Sequence, residues 1–197
     1  MRYENPSHET IGSDILAVLR TMRYPAEILG ATWLERLQAI DPHGWYPVST
    51  LLELLQHLAR KGGRASLVQM GRQLFRDSHL ERVSAQLQSA GDVLFGIDAM
   101  YRHANRGQNL GGWEVLRFGA GHAMLRKTTP HHCALEEGIL YEALHSVGAE
   151  SLIVQEVCMQ TGAAHCELEI RSPVRDHRWT GRHSFKSPIR RVTQRFV

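Results

Sequence analysis

No apolar run in this chain approaches the roughly 20 residues that a membrane-spanning helix needs, and the longest runs are short and broken by charge. Met1 to Glu9 is polar and carries acidic residues, so neither a secretory signal nor an Arg-rich transit segment is expected there. The expected location is the cytoplasm. Cysteine is scarce, with three residues, and a secreted disulfide framework favours an even number. In a reducing compartment Cys133, Cys158 and Cys166 are free thiols, metal ligands or redox groups. A nucleophile elbow, a phosphate loop and a dinucleotide fingerprint are all missing. Gly119-Ala120-Gly121 and Ser146-Val147-Gly148 read as turn or cap glycines, and no catalytic set is assigned. Internal repeats and low-complexity stretches are also absent.

The 197 residues are 43% hydrophobic, enough for one domain with a core that needs no disulfide staples. The net charge of +3 hides an asymmetry. Residues 171–197 hold eight Lys/Arg and one acid, Asp176, whereas the preceding 170 residues carry −4. An acidic body with a basic tail suggests an interaction arm for nucleic acid, an anionic membrane surface or a neighbouring subunit. Trp179 and Phe185 interleave with the basic residues, a composition that suits nucleic acid or acidic lipid. A solvated or subunit-swapped extension is the plainer reading.

Apolar spacing predicts helices over 11–22, 25–40, 50–60, 65–76, 80–88 and 91–104. Asp41 to Pro47 reads as a turn, Lys61-Gly62-Gly63 as a helix end, and 105–112 as a Gly/Asn-rich break. The pattern then changes. Residues 113–118 and 122–127 read as a hairpin, 133–147 as a helix, and 151–159 and 164–171 as two further strands. The expected class is α+β, with an N-terminal helical layer packed on a twisted antiparallel sheet of about four strands.

The cysteines fall at related places in this plan. Cys133 opens the helix after the first hairpin, where a helix N-terminus lowers a thiol's pKa. Cys158 and Cys166 lie near facing ends of the last two strands, which run about 4.8 Å apart. Three thiolates with one imidazole or carboxylate form a tetrahedral, zinc-type set. Candidates for the fourth ligand are Glu156, two residues before Cys158 on the same strand face, and His132 or His165, each beside a cysteine. His131 is one residue further away. Equally, three cysteines can be small buried hydrophobes, or a redox group with a Cys158–Cys166 disulfide. Trp33, Trp45, Phe75, Phe95, Tyr101 and Trp113 can line a pocket for a flat ligand or fill an ordinary core. Glu142 and His145, at i and i+3, can meet for acid–base work or sit on a solvated helix face.

Trp113-Glu114-Val115, Pro130 to Cys133, Glu137-Gly138-Ile139-Leu140, Glu156-Val157-Cys158 and Gly162 to Ile170 together resemble the 4-vinyl-reductase domain. Upstream, Gly44-Trp45-Tyr46-Pro47 and Met70-Gly71-Arg72 resemble its wider superfamily, which includes haem-based nitric-oxide sensors and subunits of the TRAPP tethering complex. The resemblance covers roughly 25–171. It implies an N-terminal helical extension over 1–24, a ligand-binding sensor domain over 25–171 and a basic tail over 172–197. It further implies a dimeric regulatory module with an apolar pocket for a small hydrophobic, aromatic or tetrapyrrole ligand. In aromatic-sensing members three cysteines and a glutamate hold a structural zinc. Cys133, Cys158 and Cys166 match those cysteines, but Gln155 stands at the glutamate's position, with Glu156 one residue later. The superfamily also implies alternatives: a haem-binding gas or redox sensor, an accessory protein or enzyme of tetrapyrrole metabolism, or a scaffold with bound lipid. An iron–sulfur cluster is a further alternative occupant of the cysteine site. For haem, the Tyr-x-Ser-x-Arg element of the nitric-oxide sensors is absent, and His122, His131, His132 and His145 are the candidate iron ligands.

Overall fold

The structure is a computed structural model and describes residues 5–183. The last basic stretch, including Phe185, Lys186, Arg190, Arg191 and Arg195, lies outside the described residues.

The fold is the expected α+β arrangement, with antiparallel sheets of three and four strands. The small sheet has β1 (Glu9–Ile11) at its centre, between β2 (Trp45–Pro47) and β3 (Asn105–Arg106). Strands this short show no alternation, so the sequence reads them as a helix start, a turn and a loop. Helix α1 (Gly12–Arg20) follows β1. The helix expected over 25–40 is two, α2 (Pro25–Leu29) and α3 (Ala31–Gln38), broken at Gly30 with φ 77°. Helix α4 (Val48–Leu74) spans the stretch expected to end at Lys61-Gly62-Gly63. The glycine signal survives as a kink, with φ 71° and ψ −175° at Gly63. A π-helical turn (Phe75–His79) and the short α5 (Leu80–Val83) lead to α6 (Ala90–Ala104). Ser89 caps α6 by accepting the Asp92 N–H.

The larger sheet matches the sequence reading closely. Its strands are β4 (Trp113–Gly119), β5 (His122–Lys127), β6 (Leu152–Val157) and β7 (Cys166–Arg171), in the order β4-β5-β7-β6 and antiparallel throughout. Between β5 and β6 runs α7 (Cys133–Ser146).

Two apolar clusters meet at α7. On one side Leu140, Ala143 and Leu144 pack with Leu125, Leu168 and Ile170 of the sheet. On the other, Ala134 and Leu135 pack with leucines of α4. A helix buried on both sides is apolar around most of its circumference, as α7 is. Each fully buried leucine contributes about 1.5–3 kcal/mol. The crossing with α4 depends on two glycines. A Cβ at Gly71 would enter the Leu135 carbonyl oxygen, and one at Gly138 would enter that of Val68.

Beyond β7 the chain turns back through the short α8 (His177–Thr180). Trp179 is fully buried, lies parallel to Phe118 with centroids 5.8 Å apart, and donates its indole N–H to the Gly119 carbonyl at 2.6 Å. The basic composition of this segment therefore conceals a core residue.

Candidate functional site

The three cysteines converge. Cys133 is the first residue of α7, Cys158 follows β6, and Cys166 begins β7. A 3-10 turn (Met159–Thr161) and Gly162, with φ 98°, fold the intervening chain back. The three sulfurs lie within 4.8 Å of one another. Cys133 Sγ is 3.3 Å from Cys166 Sγ and 3.6 Å from Cys158 Sγ. Cys133 and Cys166 are buried, and Cys158 is half-buried.

The surroundings favour a thiolate at Cys133. Its pKa is lowered to about 4, chiefly by the hydrogen bond from Cys166, against the opposing effect of burial, and then by the charge of Lys127. Cys166 is pushed the other way because it keeps the proton it donates. The Met159 backbone N–H donates to the Cys166 sulfur at 3.3 Å.

Lys127 is a feature that composition does not announce. It is 1% exposed, pairs across the sheet with Cys166, and sets Nζ 3.6 Å from Cys133 Sγ and 2.7 Å from Glu136 Oε2. Its Nζ also donates to the His131 carbonyl at 2.9 Å, and Thr129 donates its hydroxyl to Glu136 Oε1 at 2.7 Å. The signal was in β5: period-two alternation puts Lys127 on the same face as Ala123 and Leu125. His131 sits against this network with its side chain 11% exposed and its Nε2 buried without a partner. Burial, then the charges of Lys127 and His8, lower its pKa to about 3, so the ring is neutral.

The candidates for a fourth ligand are arranged differently from the expectation. A β-bulge between Gln155 and Val157 breaks the alternation that would align Glu156 with Cys158. Gln155 pairs with the inward Leu168, while Glu156 is exposed. The Gln155 amide faces Cys133 and favours its thiolate, yet lies beyond a formed hydrogen bond, since its Nε2 is buried without a bonded partner. His132 Nδ1 accepts the Ala134 N–H and caps α7. His165 Nε2 is 3.1 Å from Glu167 Oε1. No carboxylate or imidazole among the described residues joins the three sulfurs at their mutual spacing.

Beside the cluster is an open cavity of about 890 Å³. Leu52, Leu55 and Ala59 of α4 form one wall, and Pro130, Cys133 and Met159 stand in the other. Lys127, His131 and His132 also reach it. None of the six aromatic residues singled out in the sequence lines it. Phe75 is in the sheet-side core, with Trp113 packed against it. Trp33 packs on the helical core, and Trp45 on β2 lies under Arg106. Phe95 is 39% exposed and stacks on His183. Tyr101 is buried, donates its hydroxyl to the Leu110 carbonyl at 2.6 Å and places its ring edge-on to His131. Glu142 and His145 do not work together. Glu142 is buried and bonded to Arg72 and Arg76, each at 2.9 Å, while His145 is exposed and stacks on Tyr141.

No protein-family model matches the chain, and no curated protein matches it. Solved structures do. The chain is similar to the H-NOX protein from S. oneidensis in its Fe(II)NO ligation state, with 21% identity over 81% of this chain and 98% of that one, at a TM-score of 0.63. It is also similar to the Fe(II) unliganded H-NOX protein from K. algicida, with 14% identity over 82% of this chain and 96% of that one, at a TM-score of 0.62. The shared property is the fold.

Proposed function

We propose that this chain is a sensor module built on the H-NOX fold, holding a metal ion on Cys133, Cys158 and Cys166 and admitting a small apolar molecule to the adjoining cavity. The observation that carries the reading is the convergence of three sulfurs from three separate elements within 4.8 Å. Thiolate donors select soft or borderline ions, and zinc is the natural occupant. The ion would tie α7 to the β6–β7 turn and fix one cavity wall. Ligand binding would then shift the balance between two packings, and a partner would read the difference. We place the module in the cytoplasm as a homodimer, signalling through a separate protein or through the basic residues past 183. The fold similarity supports a sensor; a 4-vinyl-reductase or tethering role draws no such support from it.

Elemental analysis of tag-free protein tests the metal. About one zinc per chain is expected, lost in Cys158→Ser. Metal-free wild type with intact thiols would refute this part of the proposal.

A haem is the second reading, favoured by the likeness to H-NOX proteins solved in Fe(II) ligation states and by the unpartnered buried Nε2 of His131. The other candidate ligands are engaged or remote: His122 contacts Glu169 at 2.8 Å, His132 caps α7, and His145 is exposed. The one buried cation among the described residues, Lys127, is already paired with Glu136, so no buried cation is free for a propionate. A haem here would supply iron to bind a diatomic gas, with His131 as its ligand. A strong visible absorption band in wild type that His131→Ala abolishes would establish it; a colourless protein after haem titration would exclude it.

A further inference from the structure

Three sulfurs leave a four-coordinate ion one ligand short. Structural zinc sites are closed by four protein ligands, whereas reactive ones keep a position open. Here no carboxylate or imidazole among the described residues joins the three sulfurs at their mutual spacing. Glu156 is exposed on the outer side of the bulge. His132 is engaged at Nδ1 by the Ala134 N–H and His165 at Nε2 by Glu167. Gln155 does point inward, but its amide Nε2, buried without a bonded partner on the Cys133 side, is a donor group and does not bind metal. Meanwhile Cys133 stands in the cavity wall with Met159 and Lys127.

From this we infer that the metal's fourth position is open toward the cavity, and that the metal itself receives the sensed molecule through a neutral Lewis base. The inference rests on the three-thiolate metal reading above. Three thiolates around a divalent ion carry a net charge of −1. Lys127 stands 3.6 Å from Cys133 Sγ, but Glu136, 2.7 Å from the same ammonium, leaves the summed charge of cluster and pair at −1. An anionic fourth ligand is therefore repelled and a neutral donor is not. The apolar walls contributed by Leu52, Leu55, Ala59 and Pro130 suit the carbon body of such a donor. An imidazole- or pyridine-type nitrogen heterocycle combines both properties.

Cobalt(II) tests this, because its d–d absorption reports coordination directly. The full chain is loaded with Co(II) and titrated with imidazole and, separately, with azide. The expected result is one cobalt per chain, with bands that shift saturably on adding imidazole and need a higher concentration of azide. The bands before titration should be the same in Glu156→Ala, His132→Ala, His165→Ala and Gln155→Ala as in wild type. Bands indifferent to saturating imidazole would mean a closed site and overturn the inference. So would a changed starting spectrum in any one of the four variants, which would identify that residue as the fourth ligand; for Gln155 it would mean that the amide oxygen binds. Failure of wild type to take up cobalt is a different outcome, since it removes the metal reading itself and the inference with it.

Discussion

Replacing Lys127 by methionine keeps the length of the side chain and deletes its charge. The side chains of Lys127 and Glu136 are 1% and 6% exposed, so neither group has water to fall back on. Their 2.7 Å contact is a close charge contact rather than an aligned hydrogen bond, since Glu136 Oε2 has no bonded donor. In Lys127→Met the carboxylate keeps the Thr129 hydroxyl on its other oxygen, with the neutral His131 ring 3.6 Å away. Breaking one side of a buried pair costs about 3–5 kcal/mol, because the orphaned charge stays buried. Against a typical total stability of about 5–15 kcal/mol, that is a large loss. With a urea m-value of about 1–3 kcal/mol/M, the midpoint should fall by about 1 M or more. Adding Glu136→Leu removes the orphan and should restore most of the loss, since replacing both partners of a buried pair is often neutral. Far-UV circular dichroism during urea titration of wild type, both single variants and the double variant gives the coupling directly. A Lys127→Met midpoint equal to wild type, or a double variant no more stable than the worse single one, would refute the reasoning.

Gly138→Ala should destabilise by about 1–3 kcal/mol despite alanine's better helix propensity, because its Cβ meets the Val68 backbone; a thermal melt at or above wild type would contradict the α4–α7 contact. Stability should also fall below neutral pH on account of His131. Its folded pKa, about 3, lies under the unfolded value of 6.5, so the unfolded chain takes up a proton that the folded chain refuses. The contribution is full above pH 6.5 and is lost as pH falls from there toward 3, at up to about 1.4 kcal/mol per pH unit. His8 and His132, also lowered by burial, act in the same sense. Urea midpoints at pH 7 and pH 5 should therefore differ more in wild type than in His131→Gln, and equal differences would count against a buried neutral ring.

The parts of the fold that were legible are those whose period repeats. The alternation in β4, β5 and β7 and the apolar face of α7 appear in the sequence almost at their observed bounds, because burial on one side of a regular element imposes its period. The three-residue strands of the small sheet were invisible for want of repeats. Their pairing is decided by chain segments up to about 100 residues apart, such as Glu9 with Arg106. The cysteine cluster was legible in part. The cysteines' places at element ends predict that they meet, yet a single bulge moves Glu156 outward and Gln155 inward, and no local signal announces that bulge. The cavity lining was not legible at all. Aromatic residues signal burial, but burial in a core and exposure to a cavity differ only in what lies opposite, which is tertiary information.

The glycine kink in α4 divides one long helix into two levers with separate loads. The portion ahead of Gly63 carries Leu52, Leu55 and Ala59, which face the cavity, while the portion behind it carries Gly71, locked against α7. With φ at 71° the chain changes direction at this joint, so the cavity wall and the helix crossing lie on two differently directed segments. Because α7 begins at Cys133, the crossing and the sulfur cluster share one helix, and the front half of α4, anchored in the core through Leu51, Leu54 and Leu58, faces that cluster across the cavity.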